Sequence, residues 1–178
     1  MRVIAGKYKG RKLIPPVGYD IRPTTDFTKE TLFNILRDRI EGSRFLDLFG
    51  GSGALAIEAL SQGAASVVVS DKDATSVNLI RRNLQALGAS CEVYRGDYAD
   101  VARKLTGRKF DIVMLDPPYA MEIAPVLKIV RECGLLAQGG VVVYEHDSHV
   151  VTPEVEGWIN EQDRRYGRVT LTFLGGEA

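Results

Sequence analysis

Long hydrophobic runs are missing from this 178-residue sequence, and their absence argues against a membrane-spanning protein. No uninterrupted apolar stretch reaches the roughly 18 residues that a transmembrane helix needs. The first residues, Met1 to Gly6, also lack the apolar core of a signal peptide. We therefore expect a cytoplasmic protein. Its length fits one domain, 1–178, because domains commonly contain roughly 100 to 150 residues.

Cysteine and net charge are also scarce. The two cysteines, Cys91 and Cys133, are far apart and form no C-x-x-C pattern, so neither a disulfide framework nor a zinc ribbon is indicated. The 23 lysines and arginines balance 23 aspartates and glutamates, which gives a formal net charge of zero. A protein that coats nucleic acid through bulk positive charge is therefore not expected.

Basic residues are instead concentrated near the N-terminus, where no acid occurs between Met1 and Tyr19. Two short apolar segments, Val3 to Ala5 and Lys12 to Ile14, flank a glycine-bounded turn and predict a hairpin. A basic segment with an interleaved aromatic is typical of a local phosphate-binding surface, although a solvated lysine-rich hairpin has the same composition. The candidate RNA contacts here are Arg2, Lys7, Tyr8, Lys9, Arg11 and Lys12.

From Arg44 onward, strand-length apolar runs alternate with segments of helical periodicity. This alternation predicts an α/β, Rossmann-like core, 43–178, with a parallel sheet covered by helices on both faces. A helix from Thr25 or Asp26 to Gly42 completes an N-terminal part, 1–42, and a short helix is expected near Thr152. The predicted parallel strands are Arg44 to Leu48, Ser66 to Ser70, Cys91 to Arg95, Phe110 to Leu115 and Gly140 to Glu145. An antiparallel hairpin around Gly167 extends this sheet to seven strands, and the helices of the core are Ala54 to Gln62, Ala74 to Leu87, Asp97 to Leu105 and Ile123 to Cys133.

The most informative stretch begins at Phe110 and ends in Asp116-Pro117-Pro118-Tyr119. Prolines cannot donate to a sheet ladder, so the strand ends near Asp116 and continues as a stiff loop where ligands bind in open α/β sheets. The Asp116 carboxylate and the Pro117 carbonyl could accept both protons of an exocyclic amine, while Tyr119 stacks on its ring. Two acceptors would stabilise the positive charge that develops as the amine attacks. The pattern predicts group transfer to an NH2, although a stiff turn with a buried tyrosine is an alternative.

The segment Asp47 to Gly53 joins the first strand of the core to its first helix and is rich in glycine. Glycines let the main chain pass close to a ligand and present helix N-terminal N–H groups to it. Gly51 to Ala56 also matches the dinucleotide pattern G-x-G-x-x-A, with Asp71 at a suitable distance for a ribose, so NAD binding stays open. Asp47 favours S-adenosylmethionine, which is cationic, because the pyrophosphate of NAD would meet a like charge.

Two more acids follow successive strands. Asp71 could accept the ribose hydroxyls, while Asp97 could accept from an adenine amine whose ring faces Tyr98. Either carboxylate could instead cap the helix that follows it. Four candidate sites at the ends of four successive strands are harder to explain by capping alone.

The combination of Asp47-x-Phe49-x-Gly51-x-Gly53 with Asp116-Pro117-Pro118-Tyr119 resembles class I S-adenosylmethionine-dependent methyltransferases that modify exocyclic amines of bases. More narrowly, the order of features along nearly the whole chain resembles the RsmD family of 16S ribosomal RNA guanine-N2 methyltransferases, including Arg22-Pro23-Thr24-Thr25-Asp26 and Tyr166-Gly167. The resemblance implies methylation of guanine N2 in 16S RNA or in an assembling small ribosomal subunit. We expect a monomer that requires neither a metal nor a membrane.

The resemblance also implies which residues form the site, with the segment Arg22 to Asp26 closing over the cofactor. Phe27 and Thr28 depart from the family pattern, which often has a basic and an aliphatic residue there, and Ser70-Asp71 replaces a more usual Val-Glu. The implied cofactor contacts are Thr25, Asp26, Asp47, Phe49, Gly50, Gly51, Gly53, Asp71, Lys72, Asp97 and Tyr98, the implied catalytic residues are Asp116, Pro117, Pro118 and Tyr119, and Arg22 joins the basic segment as an RNA contact.

Two other functions stay open. A DNA adenine-N6 methyltransferase could use the same Asp-Pro-Pro-Tyr motif, but the chain has no insertion large enough for a separate DNA-recognition domain. A non-catalytic RNA-binding assembly factor could retain the same fold. A metal site around Glu145 to His149 is disfavoured, because the sequence offers no second cluster of ligands.

Overall fold

A seven-stranded sheet forms the centre of the protein in the computed structural model, which describes residues 1–17 and 25–177. In chain order the elements are α1 (Thr25–Ile35), α2 (Arg37–Ile40), β1 (Arg44–Asp47), α3 (Ala54–Ser61), β2 (Ser66–Asp71), α4 (Ala74–Leu87), β3 (Glu92–Arg95), α5 (Tyr98–Lys104), β4 (Phe110–Leu115), α6 (Ile123–Glu132), β5 (Leu136–Asp147), β6 (Trp158–Tyr166) and β7 (Val169–Gly176). The order across the sheet is β3-β2-β1-β4-β5-β7-β6. Within the described part of the chain, no helix has the length and apolar character needed to cross a bilayer.

The pairing of the strands confirms the predicted Rossmann-like architecture. Strands β1 to β5 pair in parallel, whereas β7 runs antiparallel to β5 and β6 antiparallel to β7. The predicted helix from residue 25 to residue 42 is interrupted at Leu36 and continues as the short α2. Strand β5 is longer than predicted at both ends.

The short helix predicted near Thr152 is wrong, since residues 151–155 are neither helix nor strand. Asp147 at the end of β5 pairs with Val169, while Trp158 at the start of β6 pairs with Gly176 at the opposite end of β7. The connecting loop must therefore travel the length of β7, about 23 Å at roughly 3.3 Å per residue. A helix rises only about 1.5 Å per residue, and a helical loop of this length could not cover the distance. The loop between β5 and β6 is therefore extended.

Two apolar clusters cover the two faces of the sheet. Successive strand side chains point to opposite faces, so Phe45 joins the cluster that includes α1, α3 and α4, and Leu46 joins the cluster that includes α5 and α6. This is why the strands read as continuous apolar runs rather than as alternating patterns. With both faces covered, the ends of the strands remain for ligand binding.

The N-terminal hairpin is fastened to this core by a buried carboxylate. Arg2 bridges to Lys12 within the hairpin, and the Glu58 carboxylate of α3 accepts hydrogen bonds from the backbone N–H groups of Ile4 (2.9 Å) and Ala5 (3.2 Å). Glu58 also pairs with Lys29 of α1 at 3.2 Å, and the two side chains are 0% and 2% exposed. One side chain therefore joins the hairpin, α1 and α3.

Glu58→Ala is expected to lower the free energy of unfolding by about 3 to 5 kcal/mol, because it leaves the buried Lys29 ammonium without its counter-charge. Urea unfolding measures the change. The matched control is Arg103→Ala, which removes an ion pair with Asp100 whose side chains are 62% and 70% exposed and should cost less than about 1 kcal/mol. Equal losses for the two variants would contradict the role given to Glu58.

Candidate active site

A cavity of about 680 Å³ opens at the carboxyl ends of β1, β2, β3 and β4. Most of the predicted cofactor contacts and all four predicted catalytic residues line it. A larger open groove of about 1020 Å³ follows the 148–157 loop and β6, and none of the predicted site residues lines that groove. The smaller cavity is therefore the candidate active site, in agreement with the general location of ligands in α/β sheets.

The glycine turn after β1 forms one wall of the cavity. The Gly50 N–H donates to the Ser70 carbonyl at 2.7 Å, and a Cβ at Gly50 would lie 2.4 Å from Val69 Cγ2, so a side chain does not fit there. Gly51 and Gly53 have φ values of 59° and 85°, which disfavour other residues. Gly50 and Gly51 line the cavity, whereas Gly53 lies outside the set of lining residues.

Asp71 is held by the same turn. Its carboxylate accepts hydrogen bonds from the N–H groups of Gly51 (3.0 Å) and Asp73 (2.9 Å). The helix that follows is capped by Asp73, which accepts from Thr75 N–H, so helix capping does not account for Asp71. Lys72 lines the cavity beside it. Asp71 is thus a preorganised acceptor in the cavity wall.

Asp97 and Tyr98 lie at the end of β3. The Asp97 carboxylate does cap α5, because it accepts from the Ala99 N–H at 3.0 Å, and it also lines the cavity. The rings of Tyr98 and Phe49 pack with centroids 5.6 Å apart at an interplanar angle of 41°. The two rings and the carboxylate together form a wall suited to a flat heterocycle with an amine.

Asp47 lies in the interior at the end of β1, outside the lining residues, and is 1% exposed. One carboxylate oxygen accepts from the Phe49 N–H at 3.1 Å, while the other is buried without a hydrogen-bond partner. Burial, with smaller contributions from the charges of Asp116 and Asp71, raises the pKa of Asp47 to about 8. A cationic ligand in the cavity would favour the ionised form of this group.

The loop after β4 completes the opposite wall. Strand β4 ends at Leu115, residues 116–118 are neither helix nor strand, and the Pro118 carbonyl accepts from the Met121 N–H at 2.9 Å. Asp116, both prolines and Tyr119 line the cavity. Tyr119 is 72% exposed, so its ring is available at the mouth, and the alternative of a buried tyrosine is wrong.

Several lining residues were not predicted from the sequence. Lys29 and Thr28 of α1 reach the cavity, together with Met121, Glu145 and Val169. The sequence did contain a signal for Lys29, because this residue lies at the helical spacing of the apolar face of α1. Its side chain is almost fully buried in the structure. Glu145 and Val169 come from the long-range pairing of β5 with β7, which local periodicity does not reveal.

Two residues of the predicted closing segment can be placed only in part. Asp26 lies in the first turn of α1, has one buried carboxylate oxygen without a partner and is not among the lining residues. Thr25 starts α1, and its side chain lies outside the described residues, as does all of Arg22. Closure of this segment over a cofactor stays a prediction.

The basic side chains of the N-terminal hairpin are not among the residues that line the cavity, and their contact with RNA stays a prediction. The N–H groups of Lys7 and Tyr8 bond to Ser61 at the end of α3, about 10 Å along that helix from its cavity end. Arg11 donates to the Ala86 carbonyl at 2.9 Å. Of the described residues 1–17, Met1 and Pro16 line the cavity.

The polar cluster at the end of β5 has partners within the protein. His146 lies 2.9 Å from the Asp147 carbonyl through Nδ1 and 2.7 Å from the Thr172 hydroxyl through Nε2. Among the residues that the structure describes, no group of three or more His, Cys, Asp or Glu side chains could hold a metal ion.

Comparisons with known proteins place this arrangement in a family. The model of a family described as conserved hypothetical protein 95 matches residues 1–175. The chain is 36% identical to ribosomal RNA small subunit methyltransferase D of Haemophilus influenzae, over 96% of this chain and 91% of that protein. It is 32% identical to the Escherichia coli protein of the same name, over 100% and 91% of the two chains. A solved structure of the Escherichia coli protein yhhF covers 100% of this chain and 98% of its own, with 32% identity and a TM-score of 0.87.

Proposed function

Because the chain belongs to the RsmD family, we propose that it transfers the methyl group of S-adenosylmethionine to the exocyclic N2 amine of a guanine in 16S ribosomal RNA. One observation carries this proposal: a single cavity joins the Asp-Pro-Pro-Tyr loop to the carboxylates and rings that follow β1, β2 and β3. Such an enzyme would act in the cytoplasm, on 16S RNA or on an assembling small subunit.

The residues of the cavity fit S-adenosylmethionine. Asp71 would accept the ribose hydroxyls, Asp97 the adenine amine, and Phe49 and Tyr98 would contact the adenine ring. The buried Asp47 oxygen without a partner and the nearby Asp116 suit the cationic end of the molecule. The pyrophosphate of NAD would meet the same group of acids, so the dinucleotide alternative is disfavoured on charge.

Asp116 and Pro117 would position the acceptor amine. The guanine amine is a weak nucleophile, and two acceptors on its hydrogens favour a pyramidal nitrogen that can attack in line. The bound cofactor supplies a methyl group already activated by the sulfonium. The N–C bond would form as the S–C bond breaks, which would leave S-adenosylhomocysteine as the neutral thioether, and the Asp116 carboxylate could accept the proton that the positively charged amine would lose. Tyr119 would hold the flipped base by stacking, since a paired guanine cannot enter the cavity.

The decisive test is identification of the labelled nucleoside. The protein is incubated with methyl-labelled S-adenosylmethionine and, in separate reactions, with unmodified small ribosomal subunits, naked 16S RNA and duplex DNA. Labelled N2-methylguanosine from either ribosomal substrate is the expected result, and the better of the two identifies the natural form of the substrate. N6-methyladenine from DNA would replace the proposal with a DNA methyltransferase, and cofactor binding without any labelled product would favour an RNA-binding assembly factor.

A further inference from the structure

A second basic segment lies next to a residue that lines the cavity. The turn between β6 and β7 carries Arg164, Arg165 and Arg168, and no acid occurs between Asp163 and Glu177. Tyr166 pairs with Val169, which lines the cavity and pairs in turn with the end of β5. The turn therefore sits at the edge of the sheet where the active site opens.

An exposed aromatic pair accompanies these arginines. Phe27 in the first turn of α1 is 57% exposed, and its ring meets that of Tyr166 edge to face, with centroids 6.2 Å apart and an interplanar angle of 77°. The residues that follow Phe27, Thr28 and Lys29, line the cavity. Phe27 thus directly precedes two residues that line the cavity, and Tyr166 is the strand partner of a third, Val169.

One face of the turn combines the aromatic pair with positive charge. Side chains two residues apart on a strand share a face, so Arg164 lies on the same face as Tyr166, while Arg168 is exposed in the turn itself. Asp26 and Glu30 of α1 are the nearest acids in sequence to Phe27, and neither lies in the turn. We call Phe27, Arg164, Tyr166 and Arg168 the turn patch.

The turn is held in place before any ligand binds. The Gly167 carbonyl accepts from the Ser148 hydroxyl (2.9 Å) and from Arg165 Nε (3.1 Å), and the Arg168 carbonyl accepts from the Ser148 N–H (2.8 Å). A preorganised surface loses less entropy on binding than a mobile loop does. The patch therefore has the properties of a built binding surface.

We propose that the turn patch binds an unpaired nucleotide of the RNA adjacent to the target guanine, an inference that rests on the proposed function for its choice of substrate. Phe27 stacks on the neighbouring base, and Arg164 and Arg168 contact the phosphates that flank it. Aromatic rings with adjacent arginines are the common means of holding single-stranded nucleic acid without reading its sequence. The patch gives the RNA a second anchor beside the cavity, in addition to the stacking of the flipped guanine on Tyr119.

The first test measures RNA binding directly, so it does not depend on methylation. Fluorescence anisotropy follows a labelled single-stranded RNA oligomer of mixed sequence over a range of salt concentrations. Phe27→Ala is expected to weaken binding about 5- to 100-fold, and Phe27→Trp to restore it. Arg164→Gln with Arg168→Gln should weaken binding and reduce the salt slope by about one for each arginine removed. Arg103→Ala, which removes an exposed arginine from α5 on the opposite face of the sheet, is the matched control and should bind as the wild type does.

Kinetics and cofactor binding separate the turn patch from the active site. Phe27→Ala should raise KM for RNA with little change in kcat, and the dissociation constant for S-adenosylmethionine and the melting temperature should stay at their wild-type values. Wild-type RNA affinity in the patch variants overturns the proposal. A loss of affinity for ribosomal particles with no loss for naked RNA also overturns it, in favour of a contact with a ribosomal protein. If the variants lose RNA binding while the wild type forms no N2-methylguanosine, the proposed function fails and the patch stands.

Discussion

Asp116→Ala is expected to lower the rate of methyl transfer about 100- to 1000-fold, the usual cost of removing one group that stabilises charge in a transition state. The alanine variant removes both the acceptor and the negative charge from the amine-binding end of the cavity. Cofactor binding should change little by comparison, because the ribose and adenine acceptors, Asp71 and Asp97, are untouched. Single-turnover methylation of 16S RNA measures the rate, and calorimetric titration measures cofactor affinity.

Asp116→Asn separates the two contributions of the carboxylate. The amide keeps one acceptor oxygen but carries no charge, so its rate should lie between those of the wild type and the alanine variant. Melting temperatures of both variants show whether the fold survives. A full rate in Asp116→Ala would remove the carboxylate from the mechanism and leave the Pro117 carbonyl as the proposed acceptor for the amine.

The fold was largely predictable because its signals are local. The parallel strands are buried on both faces, so each is a short continuous apolar run, and the glycine or proline breaks after β1 and β4 mark where the strands end. The loop before β6 was mispredicted because a favourable cap at Thr152 is a local signal, while the distance that this loop must cover is set by the pairing of β5, β7 and β6.

The site was predictable to the extent that it consists of residues following successive strands. Phe49, Asp97 and Asp116 each follow a strand and Asp71 ends one, and parallel strands bring those positions to one edge. Contacts supplied by other elements were missed, as Lys29 from α1 shows. The position of the basic hairpin was also unpredictable, because it depends on Glu58, a buried acid whose partners are far away in sequence.

Asp47→Asn is expected to remove the pH dependence of stability that the buried carboxylate imposes. The pKa of Asp47 is about 8 in the folded protein, against an ordinary value of 3.8, so the folded state binds the proton more tightly than the unfolded state does. Its contribution to stability is therefore complete below pH 4 and is lost progressively as pH rises towards 8. Each unit of pKa shift corresponds to about 1.4 kcal/mol, so the loss across this range amounts to several kcal/mol. The asparagine variant has no proton to lose and should be more stable than the wild type at pH 8 to 9, as measured by urea unfolding.

The same substitution should weaken cofactor binding, because it removes the negative charge that would attract the cationic end of the cofactor. A cationic ligand favours the ionised form and lowers the pKa of Asp47, so binding near pH 7 should release a proton and strengthen as pH approaches 8. Calorimetry in buffers of different ionisation enthalpy measures that proton. Asp100→Asn, a change at an exposed acid of α5, should retain both the proton release and the affinity. Proton release that persists in Asp47→Asn would assign the titration to another group and leave the buried Asp47 oxygen without a role in holding the cofactor.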